Sequence, residues 1–130
     1  YWLHRKGAAP ADKGPVLIPG SRGALSYLVL PENGSWDSGY SIAHGAGRKW
    51  DRGSAKGRIQ EKYKKKELLR TALGSRVICT DQNLLYEEAP DAYKNVDTVV
   101  GDLVHFGLVK VIATFRPLIT FKTNEEMREK

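Results

Sequence analysis

Three short stretches of this sequence set chemically capable side chains among glycines. His44-Gly45-Ala46-Gly47-Arg48 places an imidazole after the apolar run Ser41-Ile42-Ala43 and ahead of two glycines and an arginine. Glycines at these positions let backbone N–H groups approach a phosphate, and Arg48 has the geometry to grip one with two parallel hydrogen bonds. A histidine facing an anion serves as a nucleophile toward phosphorus, a general acid or base, or a metal ligand. Equally, a histidine before a glycine turn serves structure alone. Pro19-Gly20-Ser21-Arg22-Gly23 is a second such loop, able to wrap a nucleotide phosphate through its N–H groups or to be a tight turn with an exposed arginine. His4-Arg5-Lys6-Gly7 sets a further imidazole beside two cations, as a ligand or as a surface residue. His105 falls inside a helical pattern and reads as structural, and Cys79, in mid-strand, reads as a small core residue. There is no Cys/His pair at zinc-finger spacing, no Walker A loop and no serine-hydrolase elbow.

The elements that must hold these loops are partly legible. Residues 5–24 are rich in Gly, Pro and Ala and predict loops, except for a short strand at Val16-Leu17-Ile18. Leu25–Leu30 predicts a second strand, which makes Gly20-Ser21-Arg22-Gly23 the connection between the two. Residues 31–39, with Asn33-Gly34 and Ser38-Gly39, predict an exposed loop. Ile59, Tyr63, Leu69 and Leu73, with Lys and Glu between them, predict an amphipathic helix over 54–73 capped by Gly74, its outer face carrying Lys62 and Lys64–Lys66. Arg76–Thr80 predicts a strand. Asn95 as N-cap, then Val96, Val99, Val100, Leu103 and Val104, predict a second helix ended by Gly107. Leu108–Phe115 predicts a strand that Pro117 interrupts before Leu118–Lys122 continues extended, and residues 124–130 are expected to fray.

Composition bounds the function. With 130 residues, 41% apolar and 28% charged, the chain has the usage of one ordinary folded domain, not of a disordered or collagen-like polymer. No run of eighteen apolar residues is present, so no segment of this sequence spans a bilayer as a helix. One cysteine rules out an internal disulfide framework and fits a reducing, cytoplasmic setting. The net charge of +6 is uneven: residues 1–70 hold fourteen Lys/Arg against six Asp/Glu, and residues 71–130 hold seven against nine. A basic first half points to a polyanionic partner or to a solvated basic helix. The segment Tyr1–Lys6 lacks a signal-peptide core and the only methionine is Met127, so the chain is expected to be the C-terminal part of a longer polypeptide.

In order along the chain stand His4-Arg5-Lys6-Gly7-Ala8, Ile18-Pro19-Gly20-Ser21-Arg22-Gly23-Ala24-Leu25-Ser26-Tyr27, Ser41-Ile42-Ala43-His44-Gly45-Ala46-Gly47-Arg48, Glu88-Ala89-Pro90-Asp91-Ala92-Tyr93-Lys94 and Arg116-Pro117-Leu118-Ile119-Thr120-Phe121-Lys122. This set resembles the C-terminal third of the RtcB family of RNA ligases over nearly the whole chain. The Ser21–Ser26 and Gly47–Arg52 versions resemble the subgroup associated with peptide chain release factor H. The resemblance implies an α+β fold, a mixed β-sheet with flanking helices. It also implies a GTP- and manganese-dependent ligase joining RNA 3′-phosphate or 2′,3′-cyclic phosphate ends to 5′-hydroxyl ends, in tRNA splicing or RNA repair.

By motif position the resemblance makes His44 the nucleophile that carries GMP and His4 a metal ligand. It puts Pro19, Gly20, Ser21, Arg22 and Ser26 in the loop that holds the guanylate, and Gly45, Ala46 and Gly47 beside the nucleophile. Tyr93 and Lys122 match contacts to the guanine base, and Arg48 and Arg52 are expected on phosphates of the RNA. Family members more often carry Met or Asn where Arg22 stands, and often follow the terminal lysine with Gly where this chain has Thr123. The family's remaining manganese ligands, an aspartate, a cysteine and further histidines, are not matched here, so this chain alone is expected not to ligate. Two other classes stay open: a non-catalytic RNA- or nucleotide-binding module with a basic helix, and a manganese-independent histidine phosphotransfer domain.

Overall fold

The structure, a computed structural model, describes residues 2–32 and 36–122. Asn33-Gly34, Thr123 and the charged tail 124–130 lie outside the described residues. In chain order the elements are β1 (Ala8–Pro10), β2 (Val16–Ile18), β3 (Ser26–Pro31), β4 (Ser41–Ala43), α1 (Arg52–Lys62), β5 (Arg76–Ile78), α2 (Gln82–Glu87), α3 (Val96–His105), β6 (Val109–Phe115) and β7 (Ile119–Phe121). Single 3-10 turns occupy Trp36–Ser38, Lys65–Leu69 and Pro90–Ala92. The fold is α+β, and the chain divides into two compact units.

The first unit comprises Tyr1–Gly20, Leu25–Gly47 and Asn95–Phe115. β2, β3 and β6 form an antiparallel sheet in that order, with a register shift between Leu28 and Val29, while β1 pairs antiparallel with β4. α3 lies against β6 and turns Val96, Val100 and Leu103 inward, the three-and-four spacing of a one-sided helix. Asn95 caps it by accepting from the Asp97 N–H. The second unit comprises Ser21–Ala24, Arg48–Lys94 and Arg116–Lys130. Its core is Ile59, Leu68, Val77, Cys79, Leu85 and Ala89, with Trp50, Tyr63, Leu84 and Tyr86 packed against them. β5 and β7 pair there in parallel. Pro117 lacks an N–H for the ladder, and the chain uses that break to leave one sheet and enter another.

Three expectations are corrected. The helix predicted over 54–73 stops at Lys62, because Tyr63 and Lys64 are extended and only a 3-10 turn follows. The apolar spacing explains the break: Ile59 and Tyr63 are four apart, but the next apolar residues, Leu68 and Leu69, lie five and six further on. Lys64-Lys65-Lys66 gives the intervening turn nothing to bury. Leu68 is buried and Leu69 exposed, and Gly74 closes a turn onto the Thr71 carbonyl instead of capping a helix. Ala8–Pro10, read as loop, is a strand because β4 supplies its partner from over thirty residues away. α2 was not anticipated; six residues are too few for a periodicity, though its N-cap Asp81, which accepts from the Leu84 N–H, was a local signal.

The second unit leaves Gly23 little room. A Cβ there would stand 2.5 Å from Cγ of Pro90, a ring atom that cannot swing aside. Gly23→Val is therefore expected to cost about 1–3 kcal/mol, the scale of overpacking, measured as a lowered urea midpoint at unchanged m-value.

Candidate functional site

In the first unit, β1 and β4 place Ala8 opposite Ala43, so Gly7 and His44 leave the two-stranded ribbon at one end. His44 is exposed, and neither it nor the exposed His4 takes a hydrogen bond among the described residues. Gly47, at φ +75°, supplies the left-handed backbone that turns the chain after His44-Gly45-Ala46. Arg5 folds back instead of projecting, donating from Nε to the Ser41 hydroxyl at 2.8 Å and from Nη2 to the Tyr40 carbonyl at 3.2 Å. The half-buried Gly20 N–H donates to the Ser26 hydroxyl at 3.0 Å, so Ser26 fixes the start of the Gly-rich loop, next to the exposed Pro19.

In the second unit, the tip of that loop is a tight turn: the Ala24 N–H donates to the Ser21 carbonyl at 3.0 Å and the Gly23 N–H to the Ser21 hydroxyl at 3.4 Å. Arg22, expected to be exposed if this loop is only a tight turn, is 7% exposed. Its carbonyl accepts from the buried Ser75 hydroxyl at 3.1 Å, and its Nη2 donates to the Leu85 carbonyl at 2.6 Å. Nε and Nη1 are buried without a partner among the described residues. Burial pushes the guanidinium's pKa down, against the opposing influence of Cys79, Glu88 and Tyr93.

Glu88 gathers the other groups. Arg48 donates from Nη1 to Glu88 Oε1 and to the Tyr93 hydroxyl, both at 3.0 Å, from Nε to the Trp50 carbonyl at 3.1 Å, and from Nη2 to the Glu87 carbonyl. The Tyr93 hydroxyl in turn donates to Glu88 Oε2. The backbones join too, through an Arg48–Tyr93 bridge and the Lys49 N–H on the Ala92 carbonyl at 2.8 Å. Arg52 stands at the edge, its Nε 3.9 Å from Glu88 Oε1 and its side chain largely exposed. Lys122, half-buried and tied by its N–H to the Ile78 carbonyl at 2.9 Å, adds its charge to the field at Glu88. The Arg48 guanidinium, expected on an RNA phosphate, is thus committed to protein acceptors. Four cations, Arg22, Arg48, Arg52 and Lys122, bear on one carboxylate, a surplus suited to an anionic or acceptor-rich ligand.

Burial alone would raise the Glu88 pKa, but the Tyr93 hydrogen bond and the charges of Arg48 and Lys122 outweigh it and hold the carboxyl below its ordinary range. Asp91 is also held low, chiefly by its hydrogen bond from Lys62 on α1, with Tyr63 adding a second at 3.2 Å. Lowered carboxylate pKa values stabilise the fold fully above the ordinary carboxylate range, and that contribution is lost as the pH falls through the depressed values. The melting temperature is expected to hold from neutrality to about pH 5 and to drop below it. Glu88→Gln with Asp91→Asn should flatten that drop; an unchanged acid limb would refute these two groups as its source.

Sequence reasoning passed over Glu88 and Ser75. Glu88 opens a quoted motif but had no assigned role, and Ser75 carried no local signal. Cys79 is a core residue as expected, its thiol pushed up by burial. His105 is exposed at the end of α3, edge-on to Phe106. Among the described residues no group of three His, Cys, Asp or Glu could hold a metal ion, so His4 by itself does not make a manganese site. No helix among them is long and apolar enough to cross a membrane.

Residues 1–123 match the protein family described as tRNA-splicing ligase RtcB. The chain is 54% identical to the RNA-splicing ligase RtcB2 of Escherichia coli, over 95% of this chain and 32% of that protein. It is 40% identical to the tRNA-splicing ligase RtcB of Archaeoglobus fulgidus, over 89% of this chain and 27% of that one. For the enzyme of that name from Pyrococcus furiosus the figures are 38%, 89% and 13%. The chain therefore spans a third or less of the length of these relatives.

Proposed function

The chain belongs to the RtcB family of tRNA-splicing ligases, and from that premise we propose that it supplies the nucleophile and much of the guanylate pocket of an RNA ligase. The activity is proposed for the longer protein, not for these 130 residues alone. The observation that carries the reading is His44: an exposed, unpartnered imidazole at the end of β4, ahead of a glycine turn and directly preceding the chain segment locked onto Glu88 and Tyr93.

In the proposed reaction a nitrogen of His44 attacks the α-phosphorus of GTP, a phosphorus–nitrogen bond forms and pyrophosphate leaves. The guanylyl group then passes to an RNA 3′-phosphate, freeing the imidazole. The 5′-hydroxyl of the second RNA end finally attacks that phosphate and GMP departs. Gly45, Ala46 and Gly47 hold the turn beside His44, while Ser26 and Ser21 shape the loop of Pro19 and Gly20 around the nucleotide. Tyr93 and Lys122 face the base, and Arg52, whose side chain is largely free, is the better candidate for an RNA phosphate than Arg48. Manganese is proposed to need ligands beyond this chain, with His4 contributing one. The cellular setting proposed is the cytoplasm, in RNA repair, and the link to release factor H rests on the Ser21–Ser26 and Gly47–Arg52 motifs. The test is covalent transfer of label from the α-phosphate of GTP to the full-length protein in manganese buffer.

A second reading, an RNA-binding module without catalysis, is favoured only by the exposed cations Arg58 on α1 and Lys64, Lys65 and Lys66 in the segment after it. Lys62 is less available, since Asp91 takes its ammonium. That reading requires RNA affinity that falls with salt and is indifferent to His44.

A further inference from the structure

Both faces of the β2–β3–β6 sheet are apolar, and one of them is open. The central strand β3 runs Tyr27-Leu28-Val29-Leu30 with no charged residue, whereas a sheet with one wet face alternates apolar and polar side chains. One face carries the buried Ile18, Val29 and Val109. On the other, Leu28 stands between Leu17 on β2 and Ala113 on β6, flanked along β3 by Leu30 and by Ser26, which faces Phe115. Leu17 is 53% exposed, Leu30 41% and Phe115 51%. The one charged residue of the three strands is Lys110, opposite Leu30, and Glu32 already holds its ammonium at 2.8 Å. A leucine and phenylalanine face of this kind is the inner side of a layer, made to be packed against another layer.

We infer that in the full-length protein this face is a docking surface for the polypeptide ahead of Tyr1, which lays an apolar layer of aliphatic and aromatic side chains across Leu17, Leu28, Leu30 and Phe115. The occupant follows from length. Residues 1–123 match the family, yet the chain spans a third or less of its relatives, so most of such a protein is further polypeptide. The five ordered motifs resemble the family's C-terminal third, which sets that polypeptide before Tyr1. A segment of the same chain also docks without the loss of translational freedom that a separate partner or a second copy would have to offset. RNA and nucleotide are poor occupants, because a phosphate would find no unpaired cation on these strands. The inference rests on family membership and length, and not on the chemistry proposed for His44.

The test is hydroxyl-radical oxidation of the wild-type full-length protein, read residue by residue by mass spectrometry at Leu17, Leu30 and Phe115 and compared with the same protein in urea. It needs no substitution that could spoil folding. A covered face is expected to slow oxidation at all three positions about tenfold or more, since radicals then reach them only through local opening. A face left half-exposed, as in the 130 residues alone, would react within about two- to threefold of the unfolded chain, and that result overturns the inference. Protection that fades as the protein is diluted, with the mass in sedimentation falling from dimer to monomer, assigns the face to a second copy and overturns it as well. Leu17→Ser in the full-length protein gives an independent reading. It should lower the thermal midpoint if the face is packed, and an unchanged midpoint counts against the packing.

Discussion

Full-length protein carrying His44→Ala is expected to take up no covalent label from GTP marked at its α-phosphate, a loss on the order of a thousandfold or more, the scale on which removing a covalent nucleophile registers. His105 sits at the end of α3 against Phe106. His105→Ala should label as the wild type does. The labelled wild-type bond should break in acid and survive alkali, since protonating the nitrogen makes it a leaving group while a hydroxyl-linked ester has no such handle. Label retained in His44→Ala would end the proposed mechanism. Label that is lost while nucleotide affinity holds within a few-fold would place the defect in bond formation and not in binding.

The second large effect concerns Arg48, and it is an effect on stability. Its four hydrogen bonds join the segment after the His44 turn to the end of α2 and to Tyr93, whose ring also lies under the guanidinium at 4.9 Å. Arg48→Met keeps the bulk and removes every donor. It leaves the Glu87 and Trp50 carbonyls and one oxygen of the mostly buried Glu88 without their partner, at an expected cost of about 2–4 kcal/mol. Arg48→Lys should recover less than half, because an ammonium cannot reproduce the planar fork. With Arg48 gone, burial acts on Glu88 with less opposition, so its pKa rises and the acid limb of the melting curve moves to higher pH. Urea denaturation and thermal melts against pH read both effects. Were Arg48 instead a phosphate ligand, stability would be unchanged and the salt dependence of RNA binding would fall by about one charge.

Local sequence carried far in some places. Asn95 with its valines and leucine at three-and-four spacing determined α3, since cap and stripe are both local. The two apolar runs around Gly20-Ser21-Arg22-Gly23 determined the β2–β3 hairpin, and the order of five motifs determined the family and with it the candidates His44, Tyr93 and Lys122. The same reasoning overran at Lys64–Lys66, where a basic run was read as helix although no apolar residue held its next turn.

What only the tertiary structure decided is which of the polar residues are already spoken for. Arg22 and Arg48 look alike in sequence, each following a glycine or serine in a phosphate-type loop. In the folded chain one is fully engaged by Glu87, Glu88, Tyr93 and Trp50, and the other is buried with two donors unused. Apart from the nearby Trp50 carbonyl, the difference arises from acceptors thirty-nine and more residues away, which no local pattern encodes. Hydrogen-bond capacity belongs to a residue and can be read from its name, whereas its availability depends on what distant chain is folded against it.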